Sequence, residues 1–220
     1  MKPPVGPMLI QFTETWGIHW YGVLLTVGIF LGALYAAKRA RQDGESSEHV
    51  WNALILAVAL GVVCARLYHV FSEPAGGNVG WSYYREHPLE IVAIWKGGFG
   101  IYGGIIGGVL GAVIYTWRAG LRPLQWLDYG APGLALGQAI GRWGNFFNQE
   151  LYGPPTDLPF GVVIERAHRI APYNDLITYP EDTLFHPTFL YESLWCLLVF
   201  VVLALISRKL KHRLRDGDVL

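Results

Sequence analysis

Cysteine is almost absent from this chain: Cys64 and Cys196 are its only two in 220 residues, and both lie inside apolar segments. That placement argues against a disulfide framework and a zinc site, and both read as packing residues. Charge is scarce too. Charged residues make up 15%, with 17 Lys and Arg set against 17 Asp and Glu, so there is no net basic field to attract nucleic acid. The seven histidines are scattered without close pairs apart from His168 and His186, which leaves a metal-dependent mechanism without support, and no cofactor is expected. A short cleavable signal peptide is not evident, because the first apolar segment is long and only Lys2 precedes it as a positive charge.

What the chain has in excess is apolar and aromatic mass. Hydrophobic residues reach 52%, with nine Trp and 27 Gly, which is too apolar and too aromatic for an average soluble domain. The composition predicts an all-α polytopic membrane protein. Residues 18–37 form a first span of about the ~20 residues a bilayer requires, opening on the aromatic group His19-Trp20-Tyr21. Lys38, Arg39 and Arg41 follow it and set that end in the cytoplasm, so the N-terminus lies outside. Residues 50–71 return across the membrane and carry an intramembrane arginine, Arg66, for which a structural role and a lipid contact stand equally open.

Residues 72–96 are polar, with Trp81, Tyr83, Tyr84 and Trp95 as interface anchors, and are expected outside. A third span runs to Trp117, and Arg118 and Arg122 mark the cytoplasmic loop before a fourth over residues 126–140. Between Pro154 and Pro187 six prolines and a strand-like stretch at residues 160–164 predict a small folded insert, bounded at residues 147–187 within a single membrane domain of residues 1–220. Residues 193–206 form the last span, fixed in the cytoplasm by Arg208, Lys209, Lys211, Arg213 and Arg215. The expectation is about five spans, N-terminus out and C-terminus in.

Two stretches carry the unusual chemistry. Residues 97–111 hold glycine at eight of fifteen positions, and Gly100, Gly104, Gly108 and Gly103, Gly107, Gly111 form two adjacent stripes suited to close helix contact. A soluble phosphate loop is disfavoured there, since no Lys-Ser or Lys-Thr follows the glycines. The second stretch, residues 141–153, reads Gly-Arg-x-Gly-Asn-Phe-x-Asn-x-Glu-x-x-Gly, with eight of thirteen positions specified. It brings Arg142, Asn145, Asn148 and Glu150 to a membrane boundary, where a lone arginine would merely snorkel but a cluster of polar groups is a functional-site hypothesis.

That signature resembles the prolipoprotein diacylglyceryl transferases, bacterial membrane enzymes. His19-Trp20-Tyr21-Gly22 resembles the family's first-span motif, residues 95–108 its glycine-rich segment, and His186-Pro187-Thr188-Phe189-Leu190-Tyr191-Glu192 its His-Pro-(Ser/Thr)-x-Leu-Tyr-Glu element. The resemblance covers nearly the whole chain. It implies transfer of the diacylglyceryl group of phosphatidylglycerol to the lipobox cysteine of a prolipoprotein signal peptide, in the bacterial cytoplasmic (inner) membrane, with the site near the outer leaflet.

A thiol with a pKa near 8.5 needs help to ionise and the leaving phosphate gathers charge, so a planar, permanently charged guanidinium is the natural phosphate ligand. Arg142 is given that role. Asn145 and Asn148 are expected to hold head-group oxygens, Glu150 to orient the arginine or accept a proton, and Gly153 to permit a sharp exit of the chain. Gly103, Gly104, His186, Glu192 and Arg66 complete the expected substrate-binding set. Tyr21 and Tyr102 are placed near the same cavity by resemblance, although spacing alone makes both interfacial or core tyrosines.

Two departures from the family pattern stand out. Tyr102 occupies a position where histidine is expected in much of the family, and a phenol with a pKa near 10 is a weaker base than imidazole near 6.5. Members usually continue for two more spans, seven in all, with a further arginine and glutamate, whereas this sequence ends at Leu220 as if truncated. The competing readings are a small anion or lipid transporter and an inactive truncated member.

Overall fold

The computed structural model describes residues 1–3, 6–12, 17–72 and 80–220. Five helices carry the chain: α1 (Trp20–Gln42), α2 (Glu48–Phe71), α4 (Ile101–Arg118), α5 (Pro123–Asn148) and α6 (Thr188–Lys209), with a one-turn helix α3 (Trp81–Tyr84). Two small antiparallel pairs accompany them, β1 (Met8–Gln11) with β2 (Gly17–His19) and β3 (Val162–Val163) with β4 (Leu184–Phe185). Among the described residues three helices, α1, α2 and α6, are long and apolar enough to cross a membrane by length and composition. The five helices fall on the five expected apolar segments, but α4 is shortened and rich in glycine, and α5 carries the polar signature. Of the polar segment expected at residues 72–96, residues 73–79 lie outside the described residues.

Helix ends are set by local chemistry. Arg39 and Arg41 close α1 and Glu48 opens α2, each complementing the helix dipole. Pro123 starts α5 at a position that needs no amide proton, and Gly120, in the left-handed region at φ 70°, ends the turn before it. One boundary differs from expectation with consequence. Helix α5 does not stop near residue 140 but runs to Asn148, so residues 141–148 of the signature are helical and the irregular insert begins at Gln149. Polar side chains do not end a helix whose backbone bonds continue; they change what its surface presents.

Contacts divide the chain into two units, residues 1–35 with 130–214 and 219, and residues 36–129 with 215–218 and 220. In the first, α1 and α5 cross at paired glycines. A methyl group added to Gly28 would stand 2.8 Å from the Gly137 carbonyl oxygen, and one added to Gly32 would stand 2.5 Å from that of Gly133. Such backbone-to-backbone approach is the small-xxx-small contact of membrane helices. Around the insert a second core gathers Phe146, Val162, Ile164, Phe185 and Phe189. Buried Arg169 braces it: its guanidinium donates to the carbonyls of Ile164, Tyr179, Pro180 and Glu181 and lies 5.1 Å from the Phe185 ring centre.

In the second unit α2 packs on α4 most tightly along the stripe of Gly103, Gly107 and Gly111. A methyl at Gly107 would collide with the Leu60 carbonyl and stand 2.7 Å from Cys64 Cβ, and one at Gly111 would stand 2.6 Å from Ala57 Cα. Gly104 and Gly108 meet nothing nearer than 3.7 Å and 4.0 Å, so a methyl fits at both, whereas Gly100 of the same stripe is packed against the Tyr68 ring. At the other end of the unit, the Tyr129 hydroxyl donates to Asp43 Oδ2 at 3.1 Å, and the Asp128 carboxylate accepts the backbone N–H groups of Gly217 (2.6 Å) and Leu220 (2.9 Å).

Candidate active site

The first unit gathers most of the expected site residues at the end of α5 and the start of α6. Arg142 and Asn145 lie three residues apart and so share a helix face. Facing them, Glu192 sits on the second turn of α6, and its Oε2 accepts from Arg142 Nε at 2.6 Å. Ser193 locks the two helices beside this pair, donating to the Ala139 carbonyl at 2.8 Å and accepting from Trp143 Nε1 at 3.2 Å. Among the described residues no other partner takes the two terminal guanidinium nitrogens of Arg142. The arginine is therefore oriented through one edge and presents the other.

Of the two tasks expected of Glu150, orienting Arg142 falls to Glu192 instead. Glu150 accepts from Asn145 Nδ2 at 2.8 Å and Asn148 Nδ2 at 3.1 Å, both on Oε1. The backbone explains the spacing. Gln149 N–H donates to the Phe146 carbonyl at 3.2 Å and Glu150 N–H to that of Asn145 at 3.0 Å, the two bonds of a Schellman cap with Gln149 left-handed at φ 55°. A glutamine there costs about 1 kcal/mol relative to glycine. Its buried side chain offsets that cost by accepting the Glu165 N–H at 2.8 Å, tying the helix end to the insert.

Gly153 does not serve as a turn glycine, since the left-handed residues nearby are Gln149 and Leu151. It is a close-approach glycine: its N–H donates to the His186 carbonyl at 3.0 Å, and a methyl there would stand 2.8 Å from His186 Cβ. His186 in turn pairs its Nδ1 with the Tyr191 hydroxyl at 2.9 Å. Tyr21, in the first turn of α1, lies against Gly144, where a methyl would be 3.1 Å from Tyr21 Cα and would overlap its ring. Trp20 beside it stacks on Phe147 with ring centres 4.8 Å apart. Tyr21, Arg142, Asn145, Asn148, Glu150, Gly153, His186 and Glu192 thus belong to one unit.

Tyr102, Gly103, Gly104 and Arg66 belong to the other. Tyr102 is 64% exposed in the first turn of α4, its ring 5.7 Å from that of Tyr68. Gly103 is buried against α2, where a methyl would overlap the Cys64 carbonyl, so its role is helix packing rather than substrate contact. Gly104 stands more open. Arg66 is corrected most clearly: the residue is 6% exposed, and its guanidinium donates to the carbonyls of Ile91 (2.9 Å), Gly97 (2.6 Å), Gly98 (2.9 Å) and Glu90 and lies 5.2 Å from the Tyr84 ring centre. Four backbone acceptors make it a staple for residues 90–98. Sequence reasoning missed Arg169, which braces the insert in the same manner, because a carbonyl cage leaves no mark on the spacing of side chains.

Among the described residues no group of three or more His, Cys, Asp or Glu side chains is placed to hold a metal ion. Comparison with known proteins gives one consistent result. The prolipoprotein diacylglyceryl transferase family profile matches residues 7–220. A phosphatidylglycerol–prolipoprotein diacylglyceryl transferase of Chloroflexus aggregans is 46% identical over 231 residues, covering all of this chain and 73% of that protein. Enzymes of the same name from Bacillus velezensis and Streptococcus pyogenes serotype M5 are 37% and 40% identical, covering 98% and 92% of this chain and 74% and 72% of their own lengths.

Proposed function

The chain belongs to the prolipoprotein diacylglyceryl transferase family, and from that membership we propose that it moves the diacylglyceryl group of phosphatidylglycerol onto the lipobox cysteine of a prolipoprotein signal peptide. The observation that carries the reading is the geometry of Arg142, held by Glu192 through Nε with its terminal nitrogens presented. A guanidinium so oriented matches two phosphate oxygens with parallel hydrogen bonds. In this reading Arg142 receives the phosphate of phosphatidylglycerol. The lipobox thiol loses its proton to Glu150 Oε2, the oxygen left over when Asn145 and Asn148 both donate to Oε1. Sulfur then bonds to the glyceryl carbon as that carbon's bond to the phosphate oxygen breaks. The electron pair leaves with glycerol phosphate, whose growing charge Arg142 stabilises.

Tyr21, His186 and Tyr191 line the same end of the first unit and act as hydroxyl and imidazole partners for the head group. The chain lies in the bacterial inner membrane with its N-terminus and residues 147–187 on the outer side, and the site opens to the outer leaflet. A transporter is not favoured, because the whole-chain relatives are named as transferases.

The test is to incubate purified protein with phosphatidylglycerol and a lipobox peptide and follow the peptide by mass spectrometry. A diacylglyceryl thioether is expected. Lipid transfer between vesicles with the peptide unmodified would overturn the reading in favour of transport.

A further inference from the structure

The seam between α5 and α6 stays polar for one turn beyond the Arg142 and Glu192 pair. Gln138 stands four residues before Arg142, and Cys196 four residues after Glu192, and their side chains meet, the thiol donating to Gln138 Oε1 at 3.7 Å. Ser193, bonded to the Ala139 carbonyl at 2.8 Å, sits between these two contacts. Arg142 and Gln138 therefore lie on one ridge of α5, aligned by the same neighbouring helix. Gln138 is also exposed, ten residues from the end of its helix and among apolar neighbours. Its carbonyl is engaged by Cys196, whereas among the described residues its Nε2 protons have no partner. A primary amide facing lipid without an acceptor is costly, which points to an acceptor supplied by what binds there.

We propose that Gln138 reads the acyl ester of the lipid substrate, its Nε2 donating to an ester carbonyl of the phospholipid whose phosphate Arg142 holds. The inference rests on the transferase reading and deepens it by assigning a second anchor on the same lipid. Spacing supports it. Four helical residues separate the two side chains by about 6 Å along the axis, and glycerophospholipid ester carbonyls hang a comparable distance from the phosphate, a few single bonds of roughly 1.5 Å each. Gln138 lies on the interior side of Arg142 within α5, the side on which the esters of a lipid with its phosphate at Arg142 would fall. Two anchors on one ridge fix the glyceryl unit between them and favour ester-linked over ether-linked chains, since an ether lacks the carbonyl acceptor.

The experiment compares phosphatidylglycerol bearing ester-linked chains with its dialkyl-ether counterpart, using the full chain and the near-isosteric Gln138→Met. The wild type is expected to take the diester lipid with a KM about five- to tenfold lower than the diether, the worth of one hydrogen bond. Gln138→Met is expected to erase that difference by raising KM for the diester alone. Equilibrium Kd values for the two lipids in detergent give the same ratio without turnover, so a chain that forms no thioether would refute the transferase reading while leaving the Gln138 ratio measurable. The proposal fails if the wild type does not distinguish the lipids, if Gln138→Met keeps the wild-type preference, or if the variant raises KM for the peptide instead.

Discussion

Asn145 and Glu150 are joined twice. The backbone N–H of Glu150 donates to the Asn145 carbonyl at 3.0 Å, and the Asn145 amide donates to the Glu150 carboxylate at 2.8 Å. The helix cap and the site are thus one object, and a change to either residue reaches both. Asn145→Ala removes the donor from a position only 6% exposed and leaves the carboxylate held by Asn148 alone. The expected cost is on the order of 1–2 kcal/mol of stability, with a larger fall in turnover. Thermal denaturation in detergent, measured beside thioether formation, checks both, and an unchanged turnover would separate Asn145 from the chemistry.

Arg142→Lys keeps the positive charge but loses the planar fork and the Nε that Glu192 holds at 2.6 Å. A fall of roughly a hundredfold in kcat/KM is expected, about 2.7 kcal/mol of transition-state stabilisation, with normal expression. Near-normal turnover by the lysine variant would mean that the arginine only snorkels, and would remove it from the site.

The helical plan and the α5 signature were legible because apolar runs and a dense polar motif are local features. Partners across helices were not. Nothing in the sequence distance between residues 142 and 192 says which carboxylate meets the arginine, and Glu150, closer in sequence, is the natural but mistaken choice. The cap was hidden because Gln149 occupies a position where glycine usually announces it. Gly28 with Gly32 and Gly133 with Gly137 carry a readable four-residue spacing. Their pairing across α1 and α5 needs the fold. Arg66 and Arg169 mark the deeper limit, since an arginine that binds phosphate and one that binds carbonyls are the same letter.

Gly107 and Gly108, neighbours in α4, are expected to respond with opposite signs. Gly107→Ala puts a methyl into the Leu60 carbonyl and should destabilise by about 1–3 kcal/mol through forced separation of α2 and α4. Gly108→Ala meets nothing nearer than 4.0 Å and should be neutral or stabilising by up to about 1 kcal/mol, because alanine favours the helix. Equal losses in melting temperature for both would contradict a contact that is tighter at Gly107 than at Gly108.

Sidedness follows from the basic ends of the apolar segments. In a chain whose Cys64 and Cys196 are replaced by alanine, a membrane-impermeant thiol reagent added outside should label Ile177→Cys, beside Asp175. It should not label Ser46→Cys, near Asp43, or His212→Cys, beside Lys211. Outside labelling at position 212 would break the assignment of the C-terminal basic cluster to the cytoplasm.

Arg66 offers the sharpest separation of structure from lipid binding. Its guanidinium bridges the carbonyls of Glu90 and Ile91 on one side and of Gly97 and Gly98 on the other, so it closes residues 90–98 onto α2. Gly98 is left-handed at φ 78°, and a methyl there would stand 2.5 Å from Arg66 Nη1, which shows how tightly the chain is drawn to the side chain. A lysine carries its donors on one nitrogen and cannot span both pairs, leaving buried carbonyls without partners at about 1–3 kcal/mol each. Arg66→Lys should therefore lower the melting temperature markedly while the folded fraction keeps its KM for phosphatidylglycerol. The reverse outcome, an unchanged melting temperature with a raised KM, would return Arg66 to the lipid site.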